Sequence, residues 1–154
     1  MTKSQKLLFE LIKKCGSIND KTKLAKLEYF ADFIHYAFND KTISQEGIIY
    51  ARQKQGPLAR NLSNDIATLE SEGYIIEGPK YNYTIKKDFV TDLSSKEKKT
   101  INFVAERYGK NSWSELVDIS HKQSPYLSTK ESAIIEFFTA YNLVDEYPEY
   151  ATAS

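Results

Sequence analysis

Few side chains in this 154-residue chain could do chemistry. Beyond ordinary acids, bases and hydroxyls it has two histidines, His35 and His121, and one cysteine, Cys15. Asp32 and His35 stand three apart, a spacing that lets them face each other on a helix. Such a pair is a common surface contact, and His35 reads as a packed or half-exposed ring rather than a general base. Cys15 falls at a helix end between Lys14 and Gly16. The electronegative end of the helix raises a thiol pKa while Lys14 lowers it, and the thiol reads as inert. His121 is isolated from any Ser, Cys or acid in a recognisable pairing. Its expected role is structural or interfacial, with the ring bonding backbone ahead of Pro125 and so orienting Tyr126. Gly73 and Gly78 flank a strand and open no helix, so no phosphate-cradling loop is present. No catalytic residue, no metal ligand set and no cofactor is therefore expected, and the protein is expected not to be an enzyme.

Composition narrows the classes further. The chain is 41% hydrophobic and 13% aromatic, enough for a core. Twenty-one Lys and Arg oppose 21 Asp and Glu, which disfavours a strongly basic nucleic-acid binder. A single cysteine excludes an internal disulfide framework and a cysteine-rich zinc site. Charge breaks every apolar run long before the ~20 residues a membrane span needs, and Glu10 and Lys13 interrupt any signal-peptide core. A cytoplasmic protein with a reduced thiol is expected. The neutral total hides a gradient: residues 1–24 carry six Lys and two acids, and residues 131–154 carry five acids and no base. Two solvated faces of opposite sign, able to touch in the fold, account for it more readily than the alternative, a polar partner surface.

Helix signals place these residues. Thr2 and Gln5, Ser94 and Glu97, Ser112 and Glu115, and Ser128 and Glu131 all have capping-box spacing. The first box opens a helix that runs through Leu7, Leu8, Leu11 and Ile12 to Gly16. A second helix is apolar over much of its circumference, from Leu24 to Phe38, and reads as the central one. Residues 43–56 read as a short strand or extended loop. Pro57 suits a first helical position, so a third helix is expected from there to Glu72, ended by Gly73. Tyr74–Ile76 and Tyr81–Ile85 read as a hairpin through Gly78-Pro79. The remaining boxes open helices ending near Gly109, running to Ile119, and carrying Ile134, Ile135, Phe138 and Tyr141. The expectation is a mainly α (α+β) fold: a compact bundle of about six helices with one small antiparallel hairpin and a winged-helix-like outline. It occupies 1–148 as one domain, with a frayed tail at 149–154. Leu27, Phe30, Ile34, Leu62, Ile66, Ile101 and Val104 should share its core.

A winged helix would make DNA a partner. Arg52, Lys54 and Arg60 cluster near Gly56-Pro57, and Lys80, Lys86 and Lys87 follow on the hairpin. Against this, Asp65, Glu70 and Glu72 would put like charge into a groove.

Three segments carry a more specific likeness. Lys26-Leu27-Glu28-Tyr29-Phe30-Ala31-Asp32 is the first, Tyr50 to Leu58 the second, and Ser120-His121-Lys122-Gln123-Ser124-Pro125-Tyr126 the third. In order and spacing they resemble the Panacea domain, the family of SocA-like antitoxins. The match covers roughly Thr22 to Tyr126. It departs from the family at Gln55, where an aromatic is usual, at Ala59, and at Tyr126, where Trp is usual. The resemblance implies a non-enzymatic cytoplasmic antitoxin that neutralises, by direct contact, a protein toxin encoded nearby. A DNA-binding regulator and an adaptor delivering a partner to a protease are the alternatives. On this reading Tyr50, Arg52, Gln55, Gly56, Pro57, Arg60 and His121 are the candidate partner-binding residues. Gly-Pro would hold the neighbouring side chains in place before binding, unless that motif only starts a helix and Tyr50 packs inward.

Overall fold

In the computed structural model, residues 1–79 and 82–152 are described. Three of the four expected capping boxes form. Thr2 caps α1 (Lys3–Cys15), Ser94 caps α4 (Ser95–Tyr108) and Ser112 caps α5 (Trp113–His121), each with its reciprocal Gln or Glu bond. Gly16 closes α1 at φ +80°, a conformation glycine adopts without strain.

Helix α2 (Lys21–Asn39) starts at Asp20, whose carboxylate accepts from the Lys23 N–H. As its all-round apolar pattern predicts, it is the central element. It packs against α1, α4, α5, the second strand and a C-terminal 3-10 helix. One hydrophobic cluster runs from Leu7 to Tyr150 and includes all seven expected core residues. Phe30 is 1% exposed and stacks on Tyr108, with ring centroids 4.3 Å apart.

Among the described residues two antiparallel hairpins form instead of one. Strands β1 (Tyr50–Gln53) and β2 (Gly56–Ala59) pair with each other, as do β3 (Ile75–Gly78) and β4 (Asn82–Ile85). The second is the expected hairpin; Lys80 and Tyr81 of that expectation lie outside the described residues. The first corrects the reading of Pro57, which stands in β2 opposite Arg52. The Arg52 N–H donates to the Ala133 carbonyl and its own carbonyl accepts from Ser132. Residue 57 thus owes that position no N–H, and proline fits. Helix α3 begins later, at Leu62, and runs to Ser71.

The last expected helix is also corrected. Ser128 ends a one-turn helix, α6 (Ser124–Leu127), and Ser132 takes φ +65°. Residues 132–135 then lie along the free edge of β1, where Ile135 N–H donates to the Tyr50 carbonyl. A 3-10 helix follows over Phe137–Glu146, then α7 (Pro148–Thr152). Tyr150, in the stretch expected to fray, is buried and shares a 2.7 Å hydrogen bond with Thr100. Among the described residues no ion pair joins the two charged ends. Lys3, Lys6 and Lys13 pair with Glu97, Asp92 and Asp88.

Phe30→Ala should cost about 3–5 kcal/mol, because the Tyr108 ring and α2 leave an enclosed space behind. Urea unfolding of the two proteins measures it; a loss under about 1 kcal/mol would contradict the enclosure.

Candidate functional site

The three motif segments converge on one buried polar cluster. Asp32 is fully buried on α2. Its Oδ1 accepts from the N–H groups of Ile43 and Ser44, each at 2.9 Å, and its Oδ2 from Ser44 Oγ at 2.6 Å and Tyr50 Oη at 2.7 Å. Burial pushes its carboxyl pKa up, and these bonds oppose the shift. The expected surface pair with His35 is therefore absent. His35 is itself buried and bonds Thr100 at 2.8 Å through Nδ1; burial lowers its pKa to about 4.

One turn earlier, Tyr29 Oη donates to Gln123 Oε1, Gln123 Nε2 donates to Tyr147 Oη, and the Tyr147 and Tyr108 hydroxyls share a bond, all at 2.7 Å. Another turn back, Lys26 is 2% exposed and donates to the Pro57 carbonyl. Its burial lowers the pKa to about 8. Gly56 lies over the Lys26 stem at φ +103°, where a Cβ would stand 2.7 Å from Ser120 Oγ. Both the conformation and the closeness require glycine.

The candidate partner-binding residues divide accordingly. Tyr50 is fully buried, its hydroxyl spent on Asp32, and it presents no contact surface. Gly56 and Pro57 are also buried. Arg52 is half-buried and structural: its Nη1 donates to the carbonyls of Tyr126 and Thr129, and its guanidinium lies 4.0 Å from the Tyr126 ring centroid. His121 stacks on Tyr126, centroids 4.4 Å apart. It orients that ring by stacking rather than through the expected backbone bond. Gln55 and Arg60 alone of the set are exposed.

Beside Gln55 the turn Gln53–Lys54–Gln55 overhangs a groove of about 500 Å³ between the hairpin and the start of α2. Ala25, Leu58 and Leu62 give it apolar walls, and Lys21, Lys26 and Lys54 line it with charge. Sequence reading singled out Lys54 only as a nucleic-acid contact, and it missed Lys21, whose place depends on the hairpin folding back. Helix α3 exposes Ser63, Asn64, Ala67 and Ser71 and no base, an unsuitable face for phosphate contacts. Among the described residues no cluster of His, Cys, Asp or Glu could hold a metal. The Cys15 thiol is pushed up by burial, away from thiolate chemistry.

Glu28, next to this cluster, is fully buried with no hydrogen-bond partner for either carboxyl oxygen. Burial first, then the nearby Asp32 and Asp65, raises its pKa well above the usual range. The native state thus holds a proton that the unfolded chain releases near pH 4.5, and stability falls as pH rises above that value. Glu28→Gln removes this dependence. The stability of the variant relative to the parent should climb as pH rises above 4.5, by at most about 1.4 kcal/mol per unit, in urea titrations at stepped pH. Arg52→Glu would set a carboxylate against two carbonyls and should cost about 2–4 kcal/mol. Arg60→Glu should stay within about 0.5 kcal/mol in the same assay.

No curated protein and no solved structure matches the chain significantly. Residues 24–126 match the family described as antitoxin SocA-like, Panacea domain. That span holds the central helix, both hairpins and the α5–α6 joint, with Lys26, Tyr29, Asp32, Tyr50, Gly56, Ser120 and Gln123 in the polar cluster they share. The chain belongs to the SocA-like, Panacea-domain antitoxin family.

Proposed function

We propose that this protein neutralises a cognate protein toxin, encoded nearby, by direct binding in the cytoplasm. The observation that carries this reading is the β1–β2 turn. Gln53, Lys54 and Gln55 are exposed, yet the residues behind them are pinned: Gly56 against Ser120, Pro57 by Lys26, and Arg52 by two carbonyls. A surface ordered before binding loses little entropy on association. The turn and the groove beneath it, with exposed Arg60 just past the far end of β2, form the contact. Membership in an antitoxin family supports a toxin as the occupant.

Co-expression with the adjacent toxic gene tests the reading. Growth should be restored by the parent. Lys54→Glu and Arg60→Glu should keep the parent's melting temperature but raise the amount of antitoxin needed about tenfold, equivalent to ~1.4 kcal/mol of interface energy. Full rescue by both variants would move the contact away from the hairpin. Failure of the parent to rescue would remove the antitoxin mechanism itself.

A further inference from the structure

The C-terminal 3-10 helix presents a second surface. At three residues per turn, side chains three apart eclipse one another, and six residues advance about 12 Å. Ala140 and Leu143 face the core, with Phe137 half-buried above them. Phe138, Tyr141 and Val144 therefore stack into one outer stripe, and they are 66%, 46% and 38% exposed. A helix built this way normally turns its apolar residues inward; this one carries a large ring outward at two successive turns.

The stripe is held firmly. Phe137 stacks on Tyr36, centroids 5.4 Å apart. Tyr141 Oη donates to Asp40 at 2.7 Å, and Asn142 donates to Ser124 Oγ on α6 at 2.9 Å.

Its own segment of the chain has one sign. Glu131, Glu136, Asp145 and Glu146 are exposed, and among the described residues none forms an ion pair. No lysine or arginine occurs after residue 130. A second copy meeting the stripe through a two-fold axis would set these carboxylates against themselves. The basic amino-terminal face is a weaker candidate, since three of its six lysines, Lys3, Lys6 and Lys13, are already paired within the chain.

We infer that Phe138, Tyr141 and Val144 form a docking stripe for a basic face of the toxin, one that sets apolar side chains among lysines or arginines. The apolar centre excludes water, and the carboxylate rim steers and selects the partner. The inference rests on the antitoxin reading for the partner's identity and goes beyond it in placing a contact outside the hairpin.

The test uses the full chain, purified with the neighbouring toxin, in titration calorimetry at 50 and 300 mM salt, and the same variants in growth rescue. Phe138→Ser/Val144→Ser touches exposed positions and should fold as the parent does while weakening binding at least tenfold. Glu136→Lys/Asp145→Lys should weaken binding at 50 mM salt and flatten its salt dependence. Parent-like affinity and rescue in both variants would overturn the stripe while leaving the antitoxin reading intact. A parent that sediments as a dimer and becomes monomeric on Phe138→Ser/Val144→Ser would also overturn it, by assigning the stripe to self-association. A parent that neither binds nor neutralises the toxin would overturn both readings together.

Discussion

A buried carboxylate organises this fold. Asp32 sits in the central helix with no access to water, and an ionised group there is costly unless its lone pairs are filled. Four donors fill them, and they come from residues 43, 44 and 50. Satisfying one side chain therefore fixes the loop after α2 and the start of β1 together. Strand β1 then has two edges. One takes β2; the other takes residues 132–135, which brings in the C-terminal segment and sets where the 3-10 helix begins. Tyr50 then packs its ring against Tyr29 and Phe33 of α2 and shares its hydroxyl with the Glu28 carbonyl, so the polar and apolar contacts fix one position together.

The same logic explains which residues carry the family likeness. Lys26, Tyr29 and Asp32 occupy successive turns along one stripe of α2, and each reaches a different distant segment: Pro57, Gln123, and the 43–50 stretch. Buried polar groups demand specific partners at specific places, whereas an apolar position tolerates several residues. A motif made of such groups encodes the scaffold. The exposed turn at Gln53–Gln55 lies between motif residues, and the 3-10 stripe lies beyond the matched span 24–126. A family built on this framework can change its outer residues, and hence its partner, without disturbing the cluster.

Local signals were legible and non-local ones were not. Capping at Thr2, Ser94 and Ser112 needs only residues within one turn, and it formed as the spacing implied. Pro57 has the local features of a helix start, but the third segment on the far edge of β1 relieves it of donating a bond. That segment is some 75 residues away and leaves no mark near Pro57. Ser128 and Glu131 have box spacing, yet Ser128 already ends α6 and the chain is drawn to β1. The 3-10 helix was hidden because Phe138, Tyr141 and Val144 repeat the spacing of Phe137, Ala140 and Leu143 one position on, so the apolar residues mark no single inward face. Tyr50 and Arg52 were legible as important, but the sequence left inward packing of Tyr50 an open alternative and gave no sign of it for Arg52, because Tyr and Arg are as apt to anchor an interface as to close a core.

The two outward surfaces stand at opposite ends of α2, and that helix fixes their relation. Its nineteen residues span about 28 Å. At its start, Lys21, Lys26 and Lys54 make the groove positive; at its end, Asp40 and the carboxylates of the 3-10 segment are negative. A standard interface covers roughly 800 Å² on each partner, which is a patch about 30 Å across. One toxin could reach both surfaces only by lying along the full length of the helix, with an acidic region near the groove and a basic region near the stripe. Charge reversal at Lys54 and at Glu136 would then act on the same complex, and their coupling in a double-mutant cycle would be small, since the sites are farther apart than a Debye length of about 8 Å at physiological salt. Additive losses in one toxin's affinity therefore describe a single extended interface. A loss confined to one of the two reversals describes a compact one, and leaves the opposite end of α2 free for another protein.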